Sequence, residues 1–511
     1  MIAILDFGSQ YSKLIARKIR EKNIYCEVVP HNISILNLKK KETKGVILSG
    51  GPFSVFEKDA PKCDPEIYDL NIPILGICYG MQLMAHQLGG EVTQGKKHEY
   101  GHANLYIDNN FDLFEGLWLE MSIWMSHGDK VIRMPKNFKR LAHTENCQIA
   151  SFAHPEKKQY GLQFHPEVTH TKRGNEIIEN FIIKICQAKQ DWTAESFVNE
   201  SIEKIKKTVG NDSVLCALSG GVDSTTTAAL LKKAIGEKVT CMFIDHGFMR
   251  KNEGEKIKDL FENVFKINLI YINAKERFLN KIKGVTDPEE KRKRIGEAFI
   301  RTFEDESKKL KGKFKYLAQG TLYPDVIESA VGNISKTAQT IKSHHNVGGL
   351  PKDIDFKIIE PLRLLFKDEV RKVGLKLKIP YELINRQPFP GPGLAIRILG
   401  EITEENIKTL QEADHIVIEE IKKENLYYEL WQAFAILLPI KTVGVQGDKR
   451  SYSKVICIRA VNSTDAMTAN WAKIPYSILD KISNRIINEV HDINRVVYDI
   501  SSKPPSTIEW E

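Results

Sequence analysis

No Cys-x-x-Cys pair occurs in these 511 residues, and only eight cysteines are present, at 26, 63, 78, 147, 186, 216, 241 and 457. That scatter argues against a zinc ribbon and against a disulfide framework. It predicts small core residues in a reducing compartment, the cytoplasm. No run approaches the roughly 18 apolar residues of a membrane span. The N-terminal residues lack a basic stretch followed by a long apolar one, which predicts no signal peptide. There is no internal repeat and no low-complexity tract. Neither sign of charge dominates: 74 Lys and Arg against 66 Asp and Glu leave +8. Such a balance does not call for nucleic acid and suits anionic small substrates. Basic stripes interleaved with aromatics, as on single-strand binders, are missing. What is left is an ordinary globular chain, 42% hydrophobic and 27% charged, long enough for about three domains.

The most informative stretch is Leu218-Ser219-Gly220-Gly221-Val222-Asp223-Ser224. An apolar run, Val214–Leu218, precedes it, and a helical pattern, Thr225 to Lys233, follows. Strand, glycine turn, helix aims backbone N–H groups and a helix N-terminus at an anion. Ser219, Ser224 and Thr225 add hydroxyl donors. The lysine of a Walker loop is missing. The stretch resembles the pyrophosphate loop of the ATP pyrophosphatase family, which cleaves ATP between the α and β phosphates.

Residues 1–187 alternate short apolar runs (Ile2–Leu5, Gly45–Leu48, Ile74–Ile77) with helical patterns at 9–22 and 80–88. The alternation predicts a doubly wound α/β sheet with its chemistry at the strands' carboxyl ends. Gly76-Ile77-Cys78-Tyr79-Gly80 between strand and helix reads as a cysteine nucleophile elbow, its thiolate favoured at a helix N-terminus. A thiol nucleophile needs a base and an orienter. Two His-Pro-Glu tripeptides are available. His154 falls in a Lys-rich hairpin, whereas His165 ends a strand ahead of a loop and helix, so His165 is expected as base and Glu167 as orienter. The set is similar to the class I glutamine amidotransferases. That resemblance makes Gln82 and the loop Met125–Asp129, with His127 and Asp129, glutamine-recognition residues. It makes Ser49-Gly50-Gly51-Pro52, through Gly51, one half of an oxyanion hole, with the Tyr79 amide as the other. His127 reads equally well as a plain loop residue.

Residues 188–385 continue with an amphipathic helix at 194–208 and strands at Val239–Asp245 and Phe314–Gln319. The end of the strand carrying Phe243 is the natural place for an adenine, although Phe243 also reads as core. Ile341–Gly349 reads as a lid able to bring Lys342 onto phosphates. His344-His345 is a poor metal pair, since adjacent side chains diverge. Residues 386–511 open with a Pro/Gly run at 388–393, followed by an expected strand, Leu394–Ile398. A helix at 404–424, a strand at 454–460 and a helix at 475–490 come next, which predicts a small α+β domain. The tail Ser502–Glu511 is too polar and proline-rich to form an element.

Taken together, the glutaminase set, the loop with Tyr323–Ser329, the lid and Gln387-Pro388-Phe389-Pro390-Gly391-Pro392-Gly393-Leu394 resemble the glutamine-hydrolysing GMP synthetase family over the whole chain. The resemblance implies an α/β protein: two doubly wound parallel-sheet domains, then a small α+β dimerisation domain. Its substrates would be xanthosine monophosphate (XMP), ATP and glutamine. Mg²⁺ would accompany ATP, with Asp223 a candidate ligand and no tightly bound cofactor. A homodimer is expected, without nucleic acid or membrane partners. Arg292, Gln432, Asp448, Lys503, Ile508 and Glu509 are the implied XMP contacts, although Arg292 also reads as a solvated helix face. The competing readings are an amidotransferase using the same loop on another acceptor, and a non-catalytic nucleotide or RNA module.

Overall fold

The computed structural model describes residues 1–310, 312–331, 356–446, 448–463 and 466–511. The expected lid, Lys342 included, lies outside the described residues. Two compact units are present. One is Met1–Phe197 together with residues 327–331; the other is built from Val198–Val326 and the described residues beyond 355.

Nine strands organise the first unit: β1 (Ile2–Asp6), β2 (Cys26–Pro30), β3 (Gly45–Leu48), β4 (Ile74–Ile77), β5 (Glu91–Ile107), β6 (Glu120–Arg133), β7 (Lys139–His143), β8 (Ser151–His154) and β9 (Gln159–Leu162). Their order is β2-β1-β3-β4-β9-β8-β7-β5-β6. The first five in that order are parallel and the others antiparallel. Residues 2–5, 45–48 and 74–77 are buried. A parallel sheet is covered on both faces, which is why these strands are unbroken apolar runs. Met125–Asp129, expected as a loop, lies instead inside β6. Met121, Ile123, Met125 and His127 are buried in alternation there. A period of two thus outweighs the local turn composition of Ser-His-Gly-Asp.

Strand direction separates the two His-Pro-Glu tripeptides. β9 is parallel to β4, so His165, past its end, lies at the sheet edge that carries Cys78. β8 is antiparallel to β9, and His154 pairs with Gln159 at the start of β9. His154 therefore lies at the opposite edge.

The second unit holds β10 (Val214–Leu218), β11 (Val239–Asp245), β12 (Asn268–Asn273), β13 (Tyr316–Ala318) and β14 (Lys357–Ile359). They form a parallel sheet in the order β12-β11-β10-β13-β14. The strand order reverses at β10, so the glycine loop that follows it sits at the switch point where such sheets bind ligands. A second sheet has β15 (Gln432–Gln446), β16 (Lys449–Asn462), β17 (Asn470–Trp471) and β18 (Ile493–Tyr498), the last parallel to β16. One apolar core joins the two parts: Ile244, Phe248 and Phe278 share a cluster with Leu394, Leu410, Ile456 and Ile482.

Leu394–Ile398, expected as a strand, belongs to a 3-10 turn, Gly393–Arg397, with a single bridge from Ile398 to Leu437. The segment is buried on all sides. A short, wholly buried run has no periodicity by which to tell the two conformations apart. The C-terminal tail forms no element, yet it is anchored. Buried Arg459 donates to the carbonyls of Ser501 (2.6 Å), Thr507 (3.0 Å) and Ile508 (3.4 Å) and pairs with Asp499 at 3.0 Å. Lys503 exchanges two backbone hydrogen bonds with Ala469.

Candidate active sites

In the first unit, the loops after β3, β4 and β9 meet at one edge. Cys78 caps helix Tyr79–Gln87 and holds φ = +50°, a conformation costly for any residue with a Cβ. The flanking glycines serve close approach rather than unusual dihedrals. A Cβ on Gly76 would lie 2.7 Å from the Gly80 backbone, and one on Gly80 only 2.3 Å from the Leu48 carbonyl oxygen. The strain is therefore carried by the cysteine itself, which is buried.

The Cys78 thiol contacts the Ser126 carbonyl at 3.5 Å and Gln163 Nε2 at 3.8 Å. His165 Nδ1 is 2.8 Å from Glu167 Oε1. A carboxylate only accepts, so Nδ1–H donates and Nε2 is left for the thiol. Burial pushes the His165 pKa down. The Glu167 charge and the Cys78 hydrogen bond outweigh it and hold the imidazole well above its ordinary value. Its backbone is tied by Trp124 O at 3.1 Å and Thr171 Oγ1 at 2.6 Å. Gly51 follows β3 against Phe7, whose carbonyl oxygen would lie 2.7 Å from an added Cβ. The Tyr79 amide, at the first helical position, has no intrahelical partner.

Gln82 Nε2 donates to the Asp129 carbonyl at 2.7 Å, and His127 Nδ1 meets the same oxygen at 3.0 Å. The Asp129 carboxylate accepts from Ser54 Oγ at 2.5 Å. His127 Nε2 is 3.2 Å from Glu99 Oε2, and Thr144 Oγ1 donates to Glu99 Oε1 at 3.2 Å. Burial raises the Glu99 pKa, but the His127 contact and the Thr144 hydrogen bond leave it below the usual carboxylate value. Glu99 was not picked out from the sequence, and Ser126 and Gln163, each inside a stretch that was, had no role of their own there. Gln163 had a signal: it lies two residues before His165, at the spacing that shares a strand face.

In the second unit, Gly220 has φ = +76°, and a Cβ there would lie 2.5 Å from Ile257 Cδ1. Val222 opens helix Val222–Ile235 and Gly221 caps it. The hydroxyls expected as anion donors are turned inward: Ser224 Oγ and Thr225 Oγ1 donate to the Gly221 carbonyl at 3.1 and 2.9 Å. Ser219 Oγ faces Ser224 Oγ at 3.1 Å. The backbone N–H groups are thus the donors the loop has left for an anion. Asp223 Oδ2 pairs with Lys367 at 2.5 Å. Its Oδ1 is buried with no hydrogen-bond partner, an atom suited to a cation. Phe243 is 1% exposed, against Tyr271 at 5.7 Å between ring centroids.

Around the tail, Glu509 accepts from Arg397 Nε (2.9 Å), Arg397 Nη2 (2.7 Å) and Gln432 Nε2 (2.8 Å). Lys291 Nζ reaches Glu511 Oε2 at 2.5 Å, and Arg292 donates to the Glu511 carbonyl. Lys503 Nζ donates to Ala466 O at 2.8 Å. Ile508 packs in a cluster with Phe434 and Val461. Asp448 stands apart from this group. It is exposed, with φ = +61°, at the turn joining β15 to β16. Gln432 begins β15, so the two lie about 45 Å of strand apart. Arg397, Arg459 and Lys291 escaped the sequence reading. Lys291 had a signal, since the buried stripe of helix Pro288–Lys309 runs Lys291, Ile295, Ala298, Thr302.

Comparison with known proteins covers the whole chain. The family model "Glutamine amidotransferase class-I" matches residues 3–185, "NAD synthase" residues 194–321 and "GMP synthase C terminal domain" residues 419–510. A GMP synthase (glutamine-hydrolyzing) of Thermosynechococcus vestitus is 58% identical over 100% of this chain and 96% of its own. The protein of that name from Prochlorococcus marinus strain AS9601 is 59% identical over 100% of this chain and 98% of its own. At that identity over full length, the chain belongs to the glutamine-hydrolysing GMP synthase family.

Proposed function

We propose that this chain makes GMP from XMP, with ATP as activator and glutamine as nitrogen donor. The observation that carries the first half is the convergence of Cys78, His165 and Glu167 on adjacent parallel strand ends. The Cys78 thiolate attacks the glutamine amide carbon. His165 protonates the amide nitrogen, which leaves as ammonia, and water then hydrolyses the thioester to glutamate. The Tyr79 and Gly51 amides are the proposed donors to the tetrahedral oxyanion. Gln82, His127 and Asp129 recognise glutamine.

In the second half, ATP phosphates seat on Ser219, Gly220, Gly221, Val222, Asp223 and Ser224. The xanthine O2 attacks the α phosphorus and diphosphate leaves. Ammonia then attacks C2 and AMP departs. Adenylation converts an oxygen that cannot leave into one that can. Mg²⁺ with ATP would be held at Asp223 Oδ1, where its charge would offset that of the phosphates. Arg292, Gln432, Lys503, Ile508 and Glu509 are the proposed XMP contacts in one subunit. Asp448, at its distant hairpin, stays a proposed contact. Lys342 keeps its proposed phosphate role and Phe243 its proposed place beside the adenine. We place domain boundaries at 187/188 and 385/386, with a homodimer formed through the last part, in the cytoplasm.

An end-product assay with ATP, Mg²⁺, glutamine and a panel of XMP, IMP, UTP, deamido-NAD and aspartate tests this. The expected products are GMP, AMP and diphosphate from XMP alone. ADP and phosphate would overturn the loop assignment, and another acceptor would overturn the tail assignment.

The role of Glu167 has its own readout. Its charge raises the His165 pKa, so Glu167→Gln lowers it. Glutamine hydrolysis should fall on the order of 10²-fold. The alkaline limb of its pH profile, where imidazolium loses its proton, should move to lower pH. An unmoved limb would remove Glu167 from the role of orienter.

A further inference from the structure

We infer that Arg397 is a positioning residue for the nucleotide base, acting through Glu509. The inference rests on the proposed reading of Glu509 as an XMP contact. Arg397 and Glu509 meet as two parallel hydrogen bonds, Nε to Oε2 at 2.9 Å and Nη2 to Oε1 at 2.7 Å. This fork geometry fixes the plane of the carboxylate as well as its place. Arg397 is itself fully buried. Its guanidinium lies 3.9 Å from the centroid of the Phe434 ring and 5.3 Å from that of Phe389. Two aromatic faces and a short 3-10 turn hold it, so the place of Glu509 is set from the Arg397 side.

Lone-pair bookkeeping then names the atom left for a ligand. Each carboxylate oxygen accepts about two hydrogen bonds. Oε1 already takes Arg397 Nη2 and Gln432 Nε2. Oε2 takes Arg397 Nε alone. One directed acceptor site remains, on Oε2, and the Glu509 side chain is 19% exposed. A single fixed acceptor selects a ring N–H, which six-oxo purines present at N1 and six-amino purines do not. Arg397 thereby sets base specificity without touching the base.

Arg397 is balanced by a second carboxylate, which makes this arrangement tolerable in the interior. Its Nη1 lies 4.0 Å from Asp414 Oδ1, and Arg250 Nε lies 2.9 Å from Asp414 Oδ2. Two cations and two anions, Arg250, Asp414, Arg397 and Glu509, thus form one group around the buried Arg397 and Asp414. Nothing in that balance requires the bidentate fork, which a lysine could not reproduce.

The test uses the full-length enzyme with ammonium as nitrogen source and compares Arg397→Lys, Arg397→Met, Glu509→Gln and the double variant Arg397→Lys/Glu509→Gln. Arg397→Lys keeps the charge and loses the fork. It should raise the KM for XMP on the order of 10- to 100-fold, with kcat and the KM for ATP within a few-fold of the parent. Arg397→Met should do at least as much if it folds, and Arg397→Lys decides if it does not. Because Arg397 acts through Glu509, the double variant should be no worse than Glu509→Gln alone. An unchanged KM for XMP in Glu509→Gln would overturn the reading of Glu509, and this inference with it. A raised KM in Glu509→Gln with a parental KM in Arg397→Lys would overturn this inference alone. So would additive effects in the double variant, or a fall in kcat at constant KM, which a purely structural arginine would give.

Discussion

Cys78→Ala should abolish glutamine-dependent GMP formation, by on the order of 10³-fold or more, and leave ammonium-dependent formation within about two-fold. The thiol is the nucleophile that the elbow presents, and alanine offers no replacement. The backbone at Cys78 is already in a strained region at φ = +50°. Alanine has the same Cβ, so the turn and its strain are unchanged and the fold should persist. The reaction that uses ammonia is proposed for the loop after β10, which lies in a different compact unit. GMP would be measured by chromatography with each nitrogen source in turn. Loss of both activities would sink the division of labour between the two units. Survival of the glutamine-dependent activity would remove Cys78 from the chemistry.

Gly220→Val should give the other pattern, with glutamine- and ammonium-dependent GMP formation falling together by on the order of 10²- to 10³-fold. Two features of the loop combine here. At φ = +76° a β-branched residue is strongly disfavoured. Its Cβ would also lie 2.5 Å from Ile257 Cδ1. The end of the Ile257 side chain can move aside, but the dihedral conflict is relieved only by changing the backbone that presents the loop's N–H groups. Since the Ser224 and Thr225 hydroxyls already serve the Gly221 carbonyl, no second set of donors stands ready. Diphosphate release with ammonium as the nitrogen source would report the loss directly, and a thermal melt would confirm a folded protein. Ammonium-dependent activity near the parental rate would mean that the nucleotide is activated elsewhere.

The contrast between these two positions follows how each site is encoded. Cys78 and Gly220 stood out because a strand, a glycine-flanked turn and a helix occupy consecutive residues. Short-range sterics act within that distance, so residue identity and spacing carry the signal. The same holds for the strands Gly45–Leu48 and Ile74–Ile77, whose bounds in the structure coincide with their apolar runs. Turn composition misled where it disagreed with periodicity, as in β6, and periodicity failed where burial was complete, as in the turn Gly393–Arg397.

The groups around the tail were a different matter. Arg397 in Ala395-Ile396-Arg397-Ile398 and Arg459 in Ile458-Arg459-Ala460 are charges inside apolar runs, and nothing nearby in the chain says what they pair with. Their partners lie far along it: Glu509 is 112 residues from Arg397, and Thr507 is 48 from Arg459. Glu99 finds His127 and Thr144 in the same way, across the turns joining strands. The tail itself had the composition of a frayed end, and two buried arginines decide otherwise.

Residue order alone therefore determined the α/β class, the elbow, the phosphate loop and the family, because those rest on local turns and on patterns that read in sequence. It also ranked His165 over His154, though only by the strand each one ends. Tertiary structure turned that ranking into geometry, through the parallel run of β9 beside β4. It alone placed Arg397 on Glu509, because an ion pair between distant residues exists only once the chain has brought them together.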